Sequence, residues 1–353
     1  MPAITQAADP TGLEPTWEPG PTGTRVSLRG LDAFNDEIVW ASGAKGTVVR
    51  SADGGSSWTN CNPPGYSAVE FRCVVALGPR TAVVASAGTP AVLLRTGDAG
   101  ATWRKSYSND SPSAFFDAMK FWDADRGIAM SDPVDGRILV VTTEDGGNTW
   151  NEVQEESLPA CREGEAAFAA SNGSIATGPE GQVWIGMGGT NSNQSRVYYR
   201  SGWKADFTAY NCPLKSSSTE GIFSLARSTQ STDDKLLVAV GGDYRDNMPG
   251  EPTDDAQHTS PQPPIALWSK DNGRTWQAAK QPPTRFRSSV IYVAKLRKGT
   301  AGFITTGPTG SEYSTDAHTW KPIAGLGYHA LSVGDDTVFA CGSDGRFAVL
   351  KWR

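Results

Sequence analysis

The sequence predicts an all-β protein, a seven-bladed β-propeller, on three observations. A phrase of eight residues, [ST]-x-D-x-G-x-[ST]-W, occurs four times in full: Ser51–Trp58, Thr96–Trp103, Thr143–Trp150 and Ser269–Trp276. The copies start 45, 47 and 126 residues apart, and the last gap has room for a degenerate copy. Short β-branched and apolar runs fill the intervals, with no sustained helical period. A repeat length in the forties built from such runs is the pattern of a propeller blade.

Each phrase has the chemistry of a hairpin tip. Its Asp (Asp53, Asp98, Asp145, Asp271) can accept hydrogen bonds from the N–H groups of its own turn. The Gly two residues later tolerates positive φ, and the closing Trp can cover the edge between neighbouring blades. These carboxylates therefore read as structural. The phrase resembles the Asp box of bacterial sialidases and related propeller proteins.

The blades follow in order. Blade one has Arg25–Leu28, Glu37–Ser42 and Gly46–Arg50 ahead of its box, and blade two has Arg72–Val75, Thr81–Ser86 and Ala91–Arg95. Blade three has Asp117–Phe121, Gly127–Met130 and Arg137–Val141; blade four has Ala166–Ala169, Gln182–Gly186 and Arg196–Arg200, with a decayed box at Ser201-Gly-Trp203. Blade five has Gly221–Leu225, Leu236–Val240 and Ile265–Trp268, and blade six runs from Arg287 to a shortened box around Asp316. Blade seven has His329–Val333, Val338–Cys341 and Arg346–Leu350 but no outer strand. Thr16-Trp17 near the N-terminus stands where Thr149-Trp150 stands before blade four, so residues around Glu14–Glu18 are expected to complete it. Approximate limits are 20–60, 66–107, 112–153, 160–212, 218–279, 285–323 and 326–353 plus 13–19, which makes the chain one domain. Closure from both ends removes two free sheet edges.

Composition narrows the function. A formal charge of −6 over 353 residues gives no basic field for nucleic acid. No apolar run reaches transmembrane length and no signal peptide is visible. Five cysteines leave at least one unpaired; Cys161 and Cys212 either pair with each other or stay as buried thiols. No Cys/His cluster points to a metal, no dinucleotide or haem motif points to a cofactor, and an oxidoreductase is disfavoured. A monomer is expected.

Chain polarity places the inner-strand starts at one mouth of the channel and the boxes at the other. Those starts read Arg25, Arg72, Asp117, Glu165, Glu220 nearby, Arg287 and His329. Arg25, Arg72 and Arg287 can clamp a carboxylate, sulfate or phosphate, because guanidinium matches such oxygens bidentately; rim charges that merely pair with one another are the alternative. Between second and third strands, Asp132, Asp135 and Arg137 form a compact turn, and Asp243 and Tyr244 open a long insertion over 242–264 that contains His258. A loop of that length is either a lid or a surface excursion.

On Phe116-Asp117 through Met130–Gly136, on Gly221–Ser224, on Gly241–Tyr244 and on Gly307–Ser314, the chain resembles the photosystem II stability/assembly factor family. That resemblance implies a seven-bladed Asp-box (BNR-repeat) propeller, favours a periplasmic or secreted location, and points to a binding or assembly protein. Its ligand is then an anionic or carbohydrate group, or a protein segment, at the mouth. The sialidase resemblance implies instead a glycoside hydrolase or lyase on an anionic carbohydrate. Under that alternative Tyr328 or Tyr244 is the nucleophile, Glu165 or Glu220 its base and Asp117 the acid. A pure scaffold is the third reading.

Overall fold

A computed structural model describes residues 13–229, 235–247, 264–297 and 299–353. His258 and most of the insertion that contains it lie outside the described residues. The described residues form seven antiparallel four-stranded sheets. In six of them the strands follow chain order from the innermost outward, as in Leu28–Ala33, Val39–Gly43, Val48–Ser51 and Thr59–Asn60 of blade one. The seventh takes Ala330–Val333, Val338–Cys341 and Arg346–Trp352 and adds Pro15–Pro21 as its outer strand, so the ring closes with the N-terminal segment as expected.

The apolar side chains fall into seven clusters, each spanning two adjacent blades. Blades one and two share Trp40, Val48, Phe71, Val84 and Leu94, for example, and blades seven and one share Leu28, Val39, Phe339 and Phe347. Strands buried on both faces explain why the sequence shows apolar runs rather than alternation.

At the box turns, Asp145 accepts the Thr149 N–H at 2.9 Å, the Thr149 hydroxyl at 2.6 Å and the Thr143 hydroxyl at 2.8 Å. Asp53, Asp98 and Asp271 repeat that arrangement. The shortened turn of blade six keeps Asp316 on the His318 and Thr319 N–H groups, both at 2.8 Å. Gly100 has φ of 85°, and a Cβ there would stand 2.5 Å from Cys61 Cβ in blade one, so glycine is required twice over. Trp103 meets Trp40 and Trp58 meets Phe347 edge to face, each across a blade boundary. Asp145→Ala, at an exposed turn, is expected to cost about 1 kcal/mol in denaturant unfolding, as a lost cap does. Ligand affinity should be unchanged; lost affinity at full stability would assign recognition to the box face.

Two local expectations are corrected, and the open choice for the cysteines is decided. The inner strand of blade one begins at Leu28, so Arg25 precedes it, exposed. The inner strand of blade four is Ile175–Thr177, and Ala166 makes only an isolated bridge to Gly188. All five thiols are free, with Cys161 beside the Tyr198 hydroxyl at 3.6 Å rather than bonded to Cys212.

Candidate functional site

Four of the seven inner strands, those of blades one, two, three and five, carry a β-bulge near their start. Register shifts occur between Leu28 and Gly30, Phe71 and Cys73, Phe116 and Ala118, and Ile222 and Ser224. The residue left over in each case is Arg29, Arg72, Asp117 or Phe223. A bulge turns one side chain out of the pleat, and here it aims them all at the channel axis. Ser288 and His329 hold the corresponding place just before the inner strands of blades six and seven. These six residues line a single cavity of about 580 Å³.

Blade four supplies the floor. In place of an inner strand at Ala166–Ala169, residues 166–173 leave the blade and cross the ring. Arg29 donates to the Ala170 carbonyl, Arg72 to the Ala169 carbonyl, and the Ala167 N–H to Asp132 Oδ1 at 3.0 Å. Ser171 donates to the Ser288 carbonyl at 2.7 Å, and Asn172 bridges the Val74 carbonyl and the Met119 N–H. This strap is thereby tied to blades one, two, three and six, and it turns an open channel into a pocket. Its Phe168 stacks on Phe223 with ring centroids 4.2 Å apart, and Phe286 meets Phe223 edge to face at 4.6 Å. Cβ atoms on Gly188 or Gly221 would collide with the Phe168 ring at 2.6 and 2.7 Å, so these glycines make the stack possible. Tyr244, 40% exposed, extends the aromatic wall to the rim, 6.4 Å from Phe223.

The polar side of the cavity is uneven. Arg72 pairs with Glu70 at 2.8 Å and lies over the Phe115 ring, and Arg29 approaches the same Glu70 at 3.9 Å. Asp117 is 1% exposed and neither of its carboxyl oxygens makes a close hydrogen bond among the described residues; the Asp132 N–H, which donates to the Phe115 carbonyl at 3.1 Å, also favours its charged form. Burial, and then the neighbouring Asp132, hold it well above the usual carboxylate range, with Arg72 opposing. Burial pushes Asp132 up to about 6. His329 is held down to about 3, first by burial and then by Arg29, so its ring is neutral at physiological pH. With Nδ1 at 3.2 Å from the Leu28 carbonyl, that nitrogen carries the proton, and Nε2 accepts from the Ser343 hydroxyl.

A raised acid binds its proton more tightly in the folded than in the unfolded chain. Stability from Asp117 is therefore complete below the unfolded value near pH ~4 and is lost as pH rises towards the folded one. Asp132 acts in the same direction between about 4 and 6. Asp117→Asn removes the larger part, so its melting temperature should gain on wild type steadily from pH 5 to pH 8. Parallel curves would mean that Asp117 is not a buried acid.

Of the residues singled out in the sequence, the cavity gathers Arg72, Asp117, Asp132, His329 and Tyr244. It does not gather the others. Arg287, 3% exposed, is held by Glu312, the Phe286 carbonyl and the Thr309 hydroxyl. Glu165 is bound to Arg196 and Tyr198, Glu220 to Lys215 at 2.9 Å, and Asp243 to Arg245 at 2.8 Å. Tyr328 packs under Trp17, Arg137 donates to the Leu158 carbonyl, and Asp135 is an exposed turn residue with φ of 53°. The arginines that share the mouth are Arg29 and Arg72, not Arg25, Arg72 and Arg287. No grouping of three or more metal-ligating side chains occurs among the described residues.

No protein-family model matches the chain, and no curated protein is similar to it in sequence. Solved structures are similar in fold. A structure titled "YCF48 bound to D1 peptide" superposes with a TM-score of 0.63 at 15% identity, over 94% of this chain and 96% of that one. YCF48 from Cyanidioschyzon merolae gives 0.61 at 15% identity, over 96% and 99%. The Pan2 WD40 domain of Neurospora crassa gives 0.56 at 11% identity, over 94% and 89%. At these identities the likeness is one of fold, and it spans the ring.

Proposed function

We propose that this chain is a binding propeller of the photosystem assembly factor-like type, which holds a segment of a partner protein in the strapped mouth cavity. The observation that carries the reading is convergence: inner-strand positions of six blades and a dedicated strap build one pocket with an aromatic wall and a polar floor. Pockets of that shape and size bind ligands more often than they fill space. One fold neighbour's title names a bound peptide, which favours a protein segment as the occupant.

An anionic sugar loses its main support, since Arg287 is committed to Glu312 and Arg25 stands outside the mouth. A glycosidase also loses its pairings, because Glu165 and Glu220 each carry a cation and Tyr328 is buried between blades.

The test is a nuclear magnetic resonance titration with a panel of unstructured peptides. Shifts should centre on the Phe168, Phe223 and Tyr244 rings, and Phe223→Ala should weaken binding by about tenfold or more. Binding that maps to the box face would overturn the reading. So would turnover of uronates, sialosides or sulfated sugars that Asp117→Asn abolishes, in which case the hydrolase alternative replaces it.

A further inference from the structure

We infer that the cavity selects a basic side chain, lysine or arginine, from the bound segment, seating its charge on Asp117 against the aromatic wall and releasing a proton. The inference rests on the protein-binding reading above and names what the pocket recognises.

Four charged side chains, Arg29, Arg72, Glu70 and Asp132, and the Asp117 acid stand at or beside the floor. Glu70 serves both arginines, the strap carbonyls of Ala169 and Ala170 take further guanidinium N–H groups, and Asp132 accepts the Ala167 N–H. Asp117 has no such service, although it is 1% exposed and lines the cavity. With Asp117 protonated, two positive and two negative groups balance around it. An incoming anion would meet two arginines that already share Glu70 and the strap carbonyls, with the unpartnered Arg72 Nε buried. An incoming cation meets the one carboxyl able to become a new carboxylate, and it brings the donors that both Oδ atoms lack.

The wall suits the same ligand. Phe168, Phe223, Phe286 and Tyr244 surround the approach with ring faces and edges that favour a desolvated cation and its aliphatic stem. The proton balance follows. Asp117 enters as the neutral acid, the ligand enters as the cation, and the complex holds the carboxylate–cation pair while the acid proton leaves to solvent. Affinity therefore rises with pH until Asp117 is ionised in the free protein. The groups that face it and modulate this are Asp132, Arg72, the Cys73 thiol and, through Cys73, Lys120 on its own strand.

The experiment uses the full chain and capped pentapeptides with a central lysine, arginine, norleucine or glutamate in an alanine host, followed by calorimetry in buffers of different ionisation enthalpy. Lysine or arginine should bind about tenfold or more tighter than the isosteric norleucine, with glutamate the weakest, and about one proton should be released at neutral pH. Asp117→Asn should remove both the preference and the proton release while melting at or above the wild-type temperature, which separates lost recognition from lost folding. Equal binding of norleucine and lysine, preferred binding of glutamate, or binding without proton release would each overturn the inference and leave the protein-binding reading standing. Failure of every peptide to bind the mouth would remove both.

Discussion

A chain shortened to begin at Gly20 should lose its cooperative thermal transition or melt far below the full-length protein. The outer strand of blade seven pairs residue by residue with the C-terminal strand, from Pro15 opposite Trp352 to Pro21 opposite Arg346. Trp17 is 5% exposed, packs on Tyr328 at 5.3 Å and donates its indole N–H to Ser311 of blade six at 3.0 Å. The Trp17 backbone N–H also reaches the Ala324 carbonyl, and the Ala324 N–H returns to the Pro15 carbonyl. The strand is thus a rivet between blades six and seven as well as an edge cover. Removing a buried aromatic of this kind costs about 3–5 kcal/mol by itself, out of a typical total of about 5–15. The exposed edge of Arg346–Trp352 adds an aggregation hazard. A synthetic peptide of residues 13–21 should restore the transition in a concentration-dependent way, since it binds only the folded ring. A truncated chain that melts with the intact one would mean that the closure contributes nothing to stability.

The ring was legible in the sequence because its devices are local. Each box turn closes on itself within eight residues, so Asp, Gly and Trp had to recur together and could be counted. The N-terminal strand was legible because Thr16-Trp17 repeats the Ser/Thr–Trp pair that introduces the outer strands of blades one, two, three, five and six. The mouth was legible only in part, because bulges set the phase there. Arg72, Asp117 and His329 were aligned correctly, but Arg25 lies four residues before the bulge position Arg29, and Arg287 lies one before Ser288. A slip of one residue turns a strand side chain to the opposite face, and Arg287 accordingly points to Glu312. The triplets Leu28-Arg29-Gly30, Phe71-Arg72-Cys73, Phe116-Asp117-Ala118 and Ile222-Phe223-Ser224 carried the signal: a large buried residue, the projecting one, then a small one. The strap left no such mark. Ala166-Ala-Phe-Ala has the composition of an inner strand, and its departure across the ring depends on backbone and side-chain partners in five other blades.

The second large effect is expected at Glu165, which the sequence offered as a catalytic base and the structure ties into a buried pair. The Glu165 side chain is 2% exposed and that of Arg196 is 11% exposed. Glu165 accepts from Arg196 Nε at 2.7 Å, from the Tyr198 hydroxyl at 2.8 Å and from the Arg162 N–H at 2.9 Å. A carboxylate saturated in this way has no lone pair poised for a substrate proton, and it stands outside the cavity. Glu165→Ala strands the Arg196 guanidinium, leaves the Arg162 N–H without its acceptor and leaves the Tyr198 hydroxyl only the Cys161 sulfur as acceptor. The expected loss is about 3–5 kcal/mol, the range for breaking one half of a buried ion pair. Replacing both partners by apolar residues, Glu165→Leu with Arg196→Met, should recover much of it, because the surviving charge is what costs most. Peptide affinity of that double variant should match wild type, since the pair serves the turn that launches the strap and makes no contact with the ligand. Chemical denaturation of the two variants, with binding measured on the double, checks both halves. Full stability in Glu165→Ala together with lost binding would return Glu165 to the functional site.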